Sequence, residues 1–190
     1  MNPIIYNAIC NEIDFLIRQK NQAVLVIDGM SGAGKSSFAQ LLSEKYQAAI
    51  VHMDHFFLPP DLRSEERLAQ PGGNIHYERF REEALPAILQ RKSFSYRRFD
   101  CHRMDYVEML EIPAAKLLIV EGAYAMHPEF GHYFDMALFM DVEEETQLQR
   151  IKERSGEEAL AQFKERWIPF ENAYFKACQV IERCDHIIEY

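Results

Sequence analysis

Short apolar blocks, each closed by a charged residue or a glycine, alternate along this chain with longer stretches whose apolar positions recur every three or four residues. The first such stretch is 4–18, where Ile5, Ile9, Ile13 and Leu16/Ile17 share one helical face. Ala23-Val24-Leu25-Val26-Ile27-Asp28 follows. It is too short for a helix and rich in β-branched residues, so it reads as a strand buried on both faces, as in a parallel sheet. Ala48–Met53, Leu117–Val120 and Met136–Met140 repeat the pattern, and Ile187-Ile188 is a weaker fifth strand. Helices are predicted over 35–46, 77–91, 143–154 and 157–180, with Pro169 bending or dividing the last. In that last stretch Leu160, Phe163, Trp167, Phe170 and Tyr174 recur at helical spacing as core positions. Alternating strand and helix predict an α/β fold with a parallel sheet and right-handed crossovers. Residues 93–111 depart from the alternation. Ser95, Tyr96, Phe99, Tyr106 and Val107 there predict two short strands around a polar turn, near the active-site edge.

No repeat, low-complexity segment or linker divides the 190 residues, which read as one domain. The apolar share of 48% and charged share of 27% are those of a globular enzyme. A net charge of −9 argues against a nucleic-acid partner, since phosphate backbones need a broad basic surface, yet it leaves room for a small anion pocket. Cys10, Cys101, Cys178 and Cys184 form no CxxC pair and suit free thiols in a reducing compartment. No signal-peptide core or membrane span is read, so a cytoplasmic location without membrane partners is expected, with homo-oligomerisation left open.

Gly29-Met30-Ser31-Gly32-Ala33-Gly34-Lys35-Ser36 satisfies G-x-x-x-x-G-K-[ST] between a predicted buried strand and a predicted helix, the context that a phosphate loop requires. Its glycines let backbone N–H groups converge on phosphate oxygens, and the helix N-terminus adds its dipole. Gly29, Ser31, Gly32, Ala33, Gly34, Lys35, Ser36 and the adjoining Ser37 are the candidate nucleotide ligands. Lys35 would hold the β- and γ-phosphates of ATP, and the Ser36 hydroxyl would bind Mg²⁺.

Ligands of such sheets bind outside the carboxyl ends of the strands, where Asp54 and Glu121 fall. With Ser36 they are the candidate metal ligands, and one of them could accept the proton of an attacking hydroxyl. A loop cap or a surface ion pair is the plainer role for each. Arg150 and Arg154, four apart, could clasp an anion or simply complement the C-terminal dipole of a helix that stops at Gly156. Residues 91–103 interleave Arg with aromatics, which suits a stacked base, an anionic acceptor or a solvated hairpin face. His52 and His55 flank Asp54 but lack the further ligands of a zinc site.

Taken in order, Gly29–Ser36, Met53-Asp54-His55-Phe56-Phe57, Pro71-Gly72-Gly73-Asn74-Ile75-His76-Tyr77-Glu78-Arg79-Phe80, Val120-Glu121-Gly122 and Leu148–Arg154 resemble the uridine kinase and phosphoribulokinase group. The resemblance runs from about residue 22 to the C-terminus. It implies a P-loop three-layer sandwich on a five-stranded parallel sheet, with MgATP as donor and Asp54 as catalytic base. It also implies an acceptor-site excursion over about 55–111 and a mobile lid over about 150–166 that carries Arg150 and Arg154. Phe57, His76, Tyr77, Phe99, Asp100 and Arg103 fall where the group meets its acceptor. Three positions differ: His76 stands where relatives often carry an acid, Phe99 where uridine-cytidine kinases carry Tyr, and Ser155-Gly156-Glu157 lacks their further arginines. The expected activity is phosphoryl transfer from MgATP to a small-molecule alcohol, first a nucleoside such as uridine or cytidine. Phosphorylated sugars, pantothenate and glycerate are the alternative acceptors, and a P-loop ATPase or switch that binds a protein is the rival from another class.

Overall fold

The computed structural model describes residues 3–189. Helix α1 (Pro3–Lys20), strand β1 (Ala23–Gly29), helix α2 (Lys35–Tyr46) and strand β2 (Ala49–His52) lead to a tight 3₁₀ turn, Met53–Phe56. Helices α3 (Glu65–Leu68), α4 (Tyr77–Glu83) and α5 (Leu85–Leu89) precede an antiparallel hairpin of β3 (Phe94–Asp100) and β4 (Asp105–Ile112). Strands β5 (Leu117–Glu121) and β6 (Met136–Asp141), helices α6 (Glu144–Gln162) and α7 (Ile168–Ala177), and strand β7 (His186–Glu189) complete the order.

Five strands form one parallel sheet, β2-β5-β1-β6-β7, as the apolar blocks predicted. Every residue of β1 is buried, and its side chains alternate between two cores. Leu25 and Ile27 pack with Ile9, Ile13, Phe38 and Leu42 of α1 and α2. Val24 and Val26 face the opposite layer, with Phe80, Ile88, Tyr174 and Phe175. The continuous β-branched run is thus explained by burial on both faces. β1, β2 and β5 release Gly29, Asp54 and Glu121 at the same edge.

The helical stretches differ in detail from their sequence pattern. The predicted helix 77–91 is two helices, broken at Ala84 (φ −116°, ψ −51°), because Pro86 has no N–H to carry the ladder onward. The predicted break between 154 and 157 is a kink inside α6, where Gly156 adopts φ 85°, ψ 173°. A wide π-helical turn, Phe163–Trp167, then runs into α7. Pro169 sits in the first turn of α7, directly after that wide turn, so the long helical stretch is divided there, one of the two outcomes its sequence allowed.

His127 links the layers and predicts a pH effect. It is 5% exposed and stacks on Tyr77 at 4.9 Å and Tyr174 at 6.2 Å. Burial holds its imidazole down at about 4, against an ordinary 6.5. The folded chain keeps it neutral while the unfolded chain protonates, so its stability contribution is complete above pH 6.5 and is lost as pH falls towards 4. The loss is on the order of 3 kcal/mol. Thermal melts across that range should show a weaker acid dependence in His127→Gln; an unchanged dependence would remove His127 as the cause.

Candidate active site

The phosphate loop rises from the centre of the sheet. Gly29 must be glycine, since a Cβ there would lie 2.2 Å from the Met140 carbonyl oxygen on β6. Met30 N–H donates to that same oxygen at 3.0 Å. Lys35, 8% exposed, reaches back over the loop and donates from Nζ to Gly29 O (2.8 Å) and Met30 O (2.9 Å). Its ammonium is therefore inside the loop's curvature. Gly34 caps α2 without a side-chain hydrogen bond, which leaves the first-turn N–H groups available to an anion.

Three side chains from α6 and α7 grip the loop from outside. Gln147 Nε2 donates to Ser31 O (2.9 Å), and Arg150 Nη1 donates to Gly32 O (3.1 Å). Glu171 accepts from Ser31 N–H at 3.0 Å and from the Ser31 hydroxyl. Arg150 thus contacts the loop backbone. Arg154 is exposed, donates to Ser155 Oγ at 3.2 Å and lies over the Phe163 ring at 5.7 Å, just beside the Gly156 kink.

Ser36 and Glu121 meet directly. The Ser36 hydroxyl lies 3.1 and 3.2 Å from the two Glu121 oxygens, and His52 Nδ1 lies 2.5 Å from Oε1. The hydrogen bond to Glu121 raises the proton affinity of His52, against the opposing effect of burial. A hydroxyl and a carboxylate together make an all-oxygen donor pair of the kind Mg²⁺ takes, with phosphate oxygens and water to complete the shell. Among the described residues no group of three or more His, Cys, Asp or Glu is arranged to hold a metal ion. Asp54 stands in the turn after β2. Its carboxyl is pushed above the usual range, first by the protein packed around it and then by the charge of Glu121, while Lys35, His52 and Arg154 pull it down. The residue is exposed on the solvent side, so its desolvation is incomplete.

The expected acceptor residues divide. Phe57 pairs with Ile75 across an isolated antiparallel bridge, which joins the Asp54 turn to the Asn74–Tyr77 segment. Tyr77 is sandwiched by the Arg67 guanidinium at 3.8 Å and His127 at 4.9 Å. Asn74 Oδ1 and His76 Nδ1 are buried with no hydrogen-bond partner among the described residues. Phe99, expected at the acceptor, is 2% exposed and packs edge-on against Tyr106 at 5.6 Å, so it holds the hairpin. Asp100 accepts from His102 N–H (2.8 Å) and Arg103 N–H (3.1 Å), which fixes the β3–β4 turn and leaves Arg103 exposed at its tip. The hairpin does border the site: Tyr96 OH lies 2.9 Å from His55 Nδ1, and its ring packs on Phe56 at 4.8 Å. Burial, with the charges of His52 and Arg98, lowers His55 to about 4.

Several organising residues were not singled out from the sequence. Arg79 is 1% exposed and donates to Arg97 O (2.5 Å) and His55 O, tying the Asp54 turn to the hairpin. Asp28 is fully buried and accepts from Gly29 N–H (2.7 Å), Met126 N–H (2.9 Å) and Tyr174 OH (2.8 Å). It joins the root of the phosphate loop to the turn after Glu121 and to α7. A lone acid ending a wholly apolar strand was the available signal for Asp28.

No protein-family model matches the chain. A curated relative, inorganic pyrophosphatase TTM1 of Arabidopsis thaliana, is 29% identical over 134 residues, or 64% of this chain. The chain spans only 19% of that relative's length. Among solved structures, a possible uridine kinase from Bacillus stearothermophilus superposes with TM-score 0.66 at 17% identity, covering 95% of this chain and 99% of that one. A candidate fructose transport system kinase from Silicibacter sp. TM1040 gives 0.67 at 20% identity, covering 88% and 89%. YFH7 of Saccharomyces cerevisiae, a candidate P-loop kinase with a circular permutation, gives 0.68 at 10% identity, covering 97% and 98%. The chain has the fold of uridine kinase-like P-loop kinases.

Proposed function

We propose that this chain is an ATP-dependent kinase that moves the γ-phosphoryl group of MgATP onto a hydroxyl of a small molecule. The observation that carries the reading is the meeting of Lys35, the Ser36–Glu121 pair and Asp54 at one edge of the sheet. Lys35 stabilises charge on the transferring group. Ser36 and Glu121 would hold Mg²⁺, which supplies charge neutralisation at the phosphate oxygens. Asp54, its proton affinity raised, takes the proton of the attacking hydroxyl. Arg150, already against the loop backbone, and Arg154 both precede the Gly156 kink on α6, from where they would reach the phosphates and help to exclude water.

A nucleoside such as uridine or cytidine is the first acceptor. A phosphorylated sugar, pantothenate or glycerate is favoured instead by Arg63, Arg154 and Arg166, none of which is paired with a carboxylate among the described residues. Arg63 donates to Leu58 O and Met104 Sδ, and Arg166 lies over Trp167 and Phe170. The charge of Arg154 is felt at Asp54, and that of Arg166 at Arg63. Incubating the protein with MgATP and a panel of nucleosides, sugar acids and sugar phosphates tests both readings. ADP release stimulated by one of these alcohols is expected. ADP release indifferent to every alcohol would replace the kinase by an ATPase or switch.

A further inference from the structure

Helix α7 presents two polar groups towards the phosphate loop, one helical turn apart. Tyr174 is bonded to Asp28, and Glu171 is bonded to Ser31. Glu171 is 5% exposed, and both of its oxygens are engaged by one residue of the loop. Gln147 holds the carbonyl of the same residue, so the N–H, hydroxyl and carbonyl of Ser31 are all fixed by α6 and α7. A carboxylate is an unexpected choice for this task. It sits on the outer wall of an anion site, and its direct partners among the described residues are two neutral donors. A glutamine would offer Ser31 an acceptor and a donor without the cost of burying a charge. The groups facing Glu171 are Lys35 from α2, Asp54 from the turn after β2, and Tyr124 from the loop after β5. Lys35 favours its ionised form, whereas burial and Asp54 oppose it, and burial dominates.

We propose that Glu171 is the resident anion of the phosphate loop: it positions Ser31, and its charge limits how tightly the γ-phosphate end of ATP is held. The inference rests on the phosphate-loop reading above. Lys35 and Asp54 mark the end of the loop where the γ-phosphate would meet the acceptor, and the charge of Glu171 reaches both. ATP therefore meets a repulsion that ADP largely escapes.

Calorimetric titration of MgATP and MgADP into wild type, Glu171→Gln and Glu171→Ala between pH 6 and 9 tests this without any acceptor. Glu171→Gln should bind MgATP about fivefold tighter or more at the upper end, with MgADP within about twofold. Glu171→Ala, with Ser31 released, should bind both nucleotides more weakly than wild type, and melting temperatures check that each variant is folded. A Gln variant that binds MgATP no tighter than wild type anywhere in the range overturns the proposal. Wild type that binds neither nucleotide fails differently, since it removes the phosphate-loop reading itself.

Discussion

Lys35→Ala should lower turnover by about two orders of magnitude or more while the protein stays folded. Lys35 lies within the curve of the loop, and its two hydrogen bonds go to loop carbonyls rather than to any carboxylate. Its removal takes away the fixed positive charge closest to the loop and no core contact of comparable size. Steady-state kinetics with a melting curve on the same preparation checks both halves of the expectation. Near-wild-type turnover in folded Lys35→Ala protein would exclude a phosphate-loop mechanism.

Asp54→Asn should depress kcat by about 10²–10⁴-fold with little change in nucleotide affinity. The substitution keeps the shape of the side chain but removes its charge and its capacity to take a proton. The environment of Asp54, packed by protein and repelled by Glu121, favours that capacity. Metal ligation is the competing role, and added Mg²⁺ separates the two. Recovery of kcat at high Mg²⁺ would make Asp54 a ligand, whereas a persistent loss marks it as the base.

Local patterns in the sequence carried the parts of the site that depend on local structure. The phosphate loop is a contiguous octet, and β1, α2 and the 93–111 hairpin are each written in one uninterrupted run of residues. The position of Asp54 and Glu121 at one edge of the sheet was legible because each ends or follows a buried parallel strand. Residues that act across the fold were not. Glu171 meets Ser31 over a separation of 140 positions, and Arg79 reaches His55 over 24. In the sequence, Glu171 is one acid in a helical stretch and Arg79 one cation in an amphipathic helix. Only the docking of α7 on β1, and of α4 beneath the hairpin, gives either residue its partner. Phe99 and Asp100, placed near the acceptor by resemblance, also take structural partners that the resemblance did not name, Tyr106 and the backbone of the β3–β4 turn.

The central claim is transfer to an alcohol, and following the γ-phosphate itself tests it most directly. With γ-labelled ATP, Mg²⁺ and the acceptor that stimulates ADP release, label should appear on that acceptor in a one-to-one ratio with ADP. Asp54→Asn should reduce both together. Label released as inorganic phosphate, at a rate unaffected by the alcohol, would contradict the account.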